Sequence, residues 1–351
     1  SRLLSGYNVS FVPGWDCHGL PIELNVEQKS GKPNKDILAK DFRAKCRDYA
    51  NQQIAIQKKD FKRLGVLADW NNPYKTMDYS FEAGIVRALS EIVKSGHLVK
   101  GDKPVYWCPD CNSALAEAEV EYKDKTSSSI DFLFEMETSS VNEIFNTSVD
   151  EKIKTSFLSW TTTPWTIPGN VALSVNPNLD YSLLEVNTDN SMQCLIICKD
   201  LIDSVLERCS ISDFTILSTK PGSILESAEA KHPYFDRKST VILGDHVTTE
   251  MGTGIVHTAP AHGLEDFHAS NKYKLEIVNH VGSDGRFLET AIEFSGMNLE
   301  EANKKSIEML EGRSNLLSKD SYQHSFPHCW RHKTPLFFRA TPQWFISMTA
   351  E

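Results

Sequence analysis

Trp160-Thr161-Thr162-Thr163-Pro164-Trp165-Thr166-Ile167-Pro168-Gly169-Asn170 sits near the middle of this 351-residue chain. Threonine favours strands, so the triple run reads at first as an edge strand. Pro164 and Pro168 on either side of Trp165 lack backbone donors and argue against an ordinary ladder strand. The stretch is read instead as a stiff turn presenting several hydroxyls, each both donor and acceptor. Asn170 adds an amide able to orient a carbonyl or the backbone.

The sequence around this turn is built for strands. Residues 130–281 carry short β-branched and aromatic runs, among them Ile130-Asp131-Phe132-Leu133-Phe134, Gln193-Cys194-Leu195-Ile196-Ile197-Cys198 and Val241-Ile242-Leu243. Asn176-Pro177, Pro221-Gly222 and Asp284-Gly285 punctuate them as turns. Helices are expected near 200–208, around 263–273 and over 298–312. The flanks differ. Residues 7–12 read as a strand running into Pro13-Gly14, and Asn34 or Asp36 caps a helix that turns Ile37, Leu38, Phe42, Tyr49, Ile54 and Phe61 inward and stops at Gly65. Asp78 or Ser80 starts another, with Ile85, Val86, Leu89, Ile92 and Val93 inward and Gly96 past its end. Pro104-Val105-Tyr106-Trp107 is a strand, and 334–346 returns to buried strand sequence. The pattern predicts an α/β domain interrupted by a β-rich insertion, with Ser127-Ser128-Ser129 as the hinge.

Bulk properties fit a globular chain of more than one domain: 40% hydrophobic, 24% charged, with no apolar run long enough for a membrane span and no signal-peptide pattern. A monomer in the cytoplasm is the expectation, and the chain is expected to be a piece of a longer polypeptide. The net charge of −10 is unlike a nucleic-acid binder, yet residues 1–63 hold 12 Lys/Arg against 7 Asp/Glu. A basic face on an acidic body is therefore expected. Eight cysteines do not indicate a disulfide framework here. Cys46, Cys194, Cys198 and Cys209 are read as small core residues. Cys108-Pro109-Asp110-Cys111 and Cys329-Trp330-Arg331-His332 have zinc-ribbon spacing, so Cys108, Cys111, Cys329 and His332 are candidate ligands for a zinc ion.

A second segment, Gly252-Thr253-Gly254-Ile255-Val256-His257-Thr258-Ala259-Pro260-Ala261-His262-Gly263-Leu264-Glu265-Asp266, couples glycines for close backbone approach to a strand and a helix start. A third, Pro13-Gly14-Trp15-Asp16-Cys17-His18-Gly19-Leu20-Pro21-Ile22-Glu23, follows a strand as a substrate loop should. Taken singly, His257 reads as a satisfied core histidine, Asp266 as a helix cap and Trp15 as a buried turn residue.

Together the three segments closely resemble bacterial isoleucyl-tRNA synthetases, which are class I aminoacyl-tRNA synthetases. Where this chain has Trp15-Asp16-Cys17-His18-Gly19, related leucyl enzymes carry a Trp-Asp-Ala-Phe-Gly type sequence and valyl ones a Thr-Asp-His-Ala-Gly type, and both usually carry Arg where this chain has Thr163. The resemblance implies a Rossmann-like parallel-sheet catalytic domain interrupted by a β-barrel-like editing domain. It places the front catalytic part at 1–125, the editing domain at 126–305 and the return to the catalytic domain at 306–351. The parent enzyme would ligate isoleucine to its tRNA using ATP and Mg.

The insertion would hydrolyse tRNA(Ile) mischarged with valine, in a hydroxyl-lined pocket suited to an ester and a ribose. The implied editing residues are Thr162, Thr163, Asn170, His257 and Asp266, with Asp266 pairing with the α-ammonium of the misattached amino acid. Substrate contacts are implied for Thr161 and Trp165 in this pocket, and for Trp15, Asp16 and His18 in the adenylate site. The ATP-binding elements His-Ile-Gly-His and Lys-Met-Ser-Lys-Ser do not occur in these residues, so adenylate formation by this chain alone is not expected. The alternatives are a free-standing aminoacyl-tRNA deacylase and a non-catalytic tRNA-binding module.

Overall fold

A computed structural model describes residues 2–188 and 191–349. It is a mixed α/β structure of two compact units, Ser1–Val99 with Trp344–Glu351 and Lys100–Gln343.

In the first unit, β1 (Gly14–Trp15) leads through a short loop to α1 (Leu20–Ser30) and α2 (Ala39–Arg63), and β2 (Tyr74–Lys75) leads to α3 (Tyr79–Lys94). β1 and β2 pair in parallel, Gly14 opposite Tyr74. Their carboxyl ends therefore emit the Asp16–Gly19 and Thr76–Asp78 loops side by side. A small core of Cys17, Ala50 and Met77 underlies them. α2 begins at Ala39 after Leu38 rather than behind Asn34 or Asp36. Asn34 occupies a left-handed turn, and the Asp36 carboxylate accepts the Lys32 N–H there, so both residues serve that turn instead. α3 starts after Asp78 as the sequence predicts, yet none of its residues is buried and Ile85, Val86 and Val93 are exposed.

The second unit is β-rich. Its elements are β3 (Leu98–Cys108), β4 (Ser113–Ala114), β5 (Val120–Met136), α4 (Thr138–Phe145), β6 (Lys154–Thr161), β7 (Ala172–Val175), β8 (Asp180–Thr188), β9 (Ser191–Cys198) and α5 (Ile202–Arg208). There follow β10 (Phe214–Pro221), β11 (Glu229–Lys231), β12 (Lys238–Leu243), β13 (Ile255–Thr258), α6 (Leu264–Tyr273), α7 (Leu299–Gly312), β14 (Leu316–Cys329) and β15 (Phe337–Ile346). One sheet runs β10-β8-β9-β6-β5-β14, and a second runs β11-β12-β7-β13. Their inner faces enclose one apolar core that includes Phe132, Phe134, Phe157, Leu173, Ile196 and Phe294.

Ser127, Ser128 and Ser129 are not a hinge. They pair with Tyr322, Ser321 and Asp320 in an antiparallel ribbon of β5 and β14 that extends from Cys329 towards the core. Serine's turn preference is overridden by continuous cross-strand pairing on both sides of the run. α7 has the strongest local start signal: the Asn298 side chain accepts from the Glu300 and Glu301 N–H groups while the Glu301 carboxylate accepts from the Asn298 N–H. Cys194 and Cys198 are buried, whereas Cys46 and Cys209 are only partly so. In β15 the first half is buried, but Trp344 and Ile346 are exposed.

Candidate functional site

Sheet topology brings the two central motifs together. The Thr-rich segment leaves β6 in the larger sheet and enters β7 in the smaller one, so residues 162–171 form a crossover between sheets. β13 pairs antiparallel with β7, His257 opposite Leu173, and the Val171 N–H donates to Thr258 O at 3.0 Å. The chain reaches β13 through Gly252 and Gly254, both in the left-handed region. A Cβ on Gly254 would lie 2.2 Å from the Cys198 Cβ, so only glycine fits there. Arg208 donates to the Gly252 carbonyl and holds the Asp131 carboxylate bidentately, at 2.9 and 2.7 Å.

The crossover itself is a tight helical turn over Pro164–Gly169, wholly buried. Its backbone is held at almost every step. Thr161 Oγ1 accepts the Thr163 N–H at 3.1 Å, and Thr166 Oγ1 donates to Thr163 O at 2.9 Å. His232 donates to Ile167 O, Arg237 donates to Pro168 O, and Asn303 Oδ1 accepts the Trp165 N–H.

His257 lies behind this turn. Its Nδ1 accepts from the Asn170 amide at 3.2 Å, which leaves Nε2 protonated and donating to Thr166 Oγ1 at 2.7 Å. The Asn170 amide also donates to Ala172 O, and its oxygen accepts from Ser239. Every polar atom in this buried chain thus has a partner, as a low-dielectric network requires. Burial, with a smaller push from His262, lowers the His257 pKa to about 4, and the ring is neutral at pH 7.

A cavity of 1010 Å³ opens beside the turn, with Thr163, Trp165, Thr166 and His262 at one end and the β5–β14 ribbon and α7 along its length. The Trp165 and His262 rings meet edge to face at 4.8 Å. The turn and the 257–266 segment therefore contribute to one wall. Of the residues singled out from sequence, Thr163 and Trp165 line this cavity; Thr161, Asn170 and His257 sit behind it and support it. Thr162 is partly exposed. Asp266, in the first turn of α6, accepts the Ala259 N–H at 2.9 Å. Burial raises its carboxyl to about 6, against the opposing pull of that hydrogen bond and of His246. Thr166, His262 and Asn303 were not singled out from sequence. Thr166 follows Thr163 at the spacing of one helical turn, whereas Asn303 carries no local signal at all.

In the first unit, the Asp16 carboxylate accepts from Thr76 Oγ1 at 3.3 Å and from the His18 N–H at 3.4 Å, and is exposed. Trp15 Nε1 donates to Gln57 at 2.9 Å, and His18 approaches Glu82 at 3.5 Å. Asp16 and His18 are thus presented on the loop at the carboxyl ends of the parallel pair, open to an incoming ligand.

Cys108, Cys111, Cys329 and His332 converge, their ligand atoms all within 4.8 Å of one another. A tetrahedral ion with sulfur at about 2.3 Å separates its sulfurs by roughly 3.8 Å. Cys111 Sγ stands 3.7 Å from Cys329 Sγ, and His332 Nδ1 lies 3.2–3.9 Å from the three sulfurs. The donor set and its spacing fit a structural dication. Burial, then the neighbouring Cys108 and Cys329, pushes the Cys111 thiol up, a penalty that a bound cation relieves.

A family model described as tRNA synthetases class I (I, L, M and V) matches residues 1–350. The chain belongs to this family. It is 53% identical over 349 residues to an isoleucine–tRNA ligase of Shewanella sp. (strain W3-18-1), which covers 99% of the chain and 37% of that relative. It is 52% identical over 352 residues to that of Pseudoalteromonas atlantica (strain T6c), again 99% and 37%. The chain thus spans little more than a third of the curated relatives it matches. Among solved structures it is similar to the editing domain of cytosolic leucyl-tRNA synthetase from P. falciparum (TM-score 0.40, 13% identity, 56% of this chain and 100% of that one). The P. knowlesi counterpart gives a TM-score of 0.41 at 14% identity, covering 55% and 97%. No helix among the described residues is long and apolar enough to cross a membrane.

Proposed function

We propose that this chain is the editing segment of an isoleucyl-tRNA synthetase, and that it hydrolyses valine from mischarged tRNA(Ile). The supporting observation is the shared wall of Thr163, Trp165, Thr166 and His262, with Asp266 four residues further along the chain in the first turn of α6, outside the cavity lining. The chemical need is quantitative. A site shaped for isoleucine rejects valine by only about 1–3 kcal/mol, a figure for which these enzymes are themselves the standard case. A second pocket with room for the shorter side chain removes the error by hydrolysis.

In this reading Asp266 pairs with the α-ammonium, and the hydroxyls of Thr162, Thr163 and Thr166 bind the terminal adenosine and place the attacking water. His257 and Asn170 hold Thr166 with its proton aimed at the Thr163 carbonyl. In this reading a positioned water is the nucleophile, because the hydroxyl beside His257, that of Thr166, receives the ring's proton and gives its own to the Thr163 carbonyl. Trp15, Asp16 and His18 serve the parent enzyme's adenylate site, for which ATP and Mg are the cofactors. The domain division proposed is a catalytic part at 1–125, an editing domain at 126–305 and a return at 306–351, within a monomeric cytoplasmic enzyme. Zinc at Cys108, Cys111, Cys329 and His332 would pin the end of the ribbon; one equivalent of zinc in purified protein, lost on Cys111→Ser, is the expected result.

Asp266→Ala tests the reading directly. It removes the only carboxylate assigned to the substrate amine and should lower valyl-tRNA deacylation by at least about 10²-fold. Undiminished turnover would exclude the assignment.

A further inference from the structure

We infer that Asn303, on α7 and outside all the motifs, is a positioning residue for this hydrolysis. The inference rests on the editing reading above. Pro164 supplies no N–H, so the first donor of the turn is the Trp165 N–H, which no carbonyl of the turn can reach. Asn303 Oδ1 accepts it at 2.9 Å from 138 residues away. The other clamps are Thr166 on Thr163 O, from within the turn, and His232 on Ile167 O and Arg237 on Pro168 O, from the β11–β12 connection. Asn303 holds the turn's backbone from the α7 side, and it lines the same cavity as Thr163, Trp165 and Thr166.

The helix that carries it is anchored independently. α7 has a reciprocal cap at Asn298 and Glu301, and Ala302, Ser306, Ile307 and Leu310 are buried beneath it. Asn303 therefore extends from a fixed support. Its amide oxygen sets the height of the Trp165 backbone, and with it the depth at which the Trp165 ring and the adjoining Thr163 and Thr166 hydroxyls meet the ester. Such a residue acts on geometry rather than on binding: a displacement of about 1 Å in reacting groups costs up to about 10²-fold in rate.

The test compares Asn303→Ala and Asn303→Asp with the unaltered chain on valyl-tRNA(Ile) and isoleucyl-tRNA(Ile), alongside melting temperature. Aspartate keeps the acceptor and alanine removes it. The expected result is a fall of about tenfold or more in kcat for the valyl ester with Asn303→Ala, with KM for the tRNA changed less than about twofold. Discrimination against the isoleucyl ester should shrink in parallel, and Asn303→Asp should recover most of the lost rate. Unchanged kcat in a folded Asn303→Ala variant would overturn the inference, as would Asn303→Asp being as slow as Asn303→Ala. If Asn303→Ala does not fold, Asn303→Ser, with a shorter reach, must show the same kcat loss or the inference fails. Absence of valyl-ester hydrolysis by the unaltered chain would instead count against the editing reading itself.

Discussion

Between Lys100 and Gln343 a large apolar core that includes Phe132, Phe134, Leu173 and Ile196 is fully buried, and buried polar groups such as His257, Asn170, Thr166 and Ser239 are bonded to one another. In the unit of residues 2–99, Leu64, Tyr79 and Val86 are 73%, 77% and 65% exposed, and the small core is Cys17, Ala50 and Met77. The β-rich unit thus holds its chemistry in a preformed, satisfied interior, where hydroxyls and a neutral histidine have one arrangement each. The front unit presents Asp16 and His18 on an exposed loop whose hydrogen bonds compete with water. A pocket that must discriminate by one methylene needs the first kind of support.

The largest effect that separates the two regions should come from their ion pairs. Arg208→Ala would leave Asp131, 2% exposed, without its bidentate partner, at a cost of about 3–5 kcal/mol in denaturant unfolding of the β-rich unit. Glu91→Gln, which breaks the fully surface Lys94–Glu91 pair in the front unit, should cost under about 1 kcal/mol. Similar losses would erase the contrast.

A smaller, graded effect is expected with pH. Burial holds His232 at about 3 and His257 and His262 at about 4 in the native state. The unfolded chain protonates these rings near 6.5, so it binds more protons and native stability falls as pH drops from about 6.5 towards 4. The slope approaches about 1.4 kcal/mol per pH unit for each fully buried ring, less for the partly exposed His262. Asp266, raised to about 6, works in the opposite sense between about 6 and 4 and offsets part of the loss. Urea titrations at pH 7 and pH 5 check the sign; equal stabilities would mean that the rings are hydrated in the native state. Deacylation should decline below about pH 6 as Asp266 takes up its proton, and a rate flat to pH 5 would remove it from the amine-binding role.

Much of the β-rich unit was legible because its signals are local. The capping box at Asn298 and Glu301, the apolar runs 130–134 and 193–198, and the paired Cys/His spacings each announce what they form. What stayed hidden is non-local. Ser127–Ser129 looks like a hinge until thirteen cross-strand pairs fix it in a ribbon. The apolar stripe on α3 obeys helical periodicity, yet the structure leaves Ile85 and Val86 exposed. Within the site, the motif residues and their neighbourhood were readable, but the order of layers was not. His257, a satisfied core histidine when read singly and an editing residue by resemblance, is buried and bonded to Thr166 and Asn170. Asn303 could not be read at all, because its side-chain hydrogen bond among the described residues goes to a backbone N–H far along the chain.

The most direct measurement is hydrolysis of valyl-tRNA(Ile) against isoleucyl-tRNA(Ile) by this chain under single-turnover conditions. The proposed editing pocket predicts rapid loss of the valyl ester and an isoleucyl ester spared by at least about 10-fold, the equivalent of one methylene's discrimination. Equal rates for the two esters, or no hydrolysis of either, would contradict it.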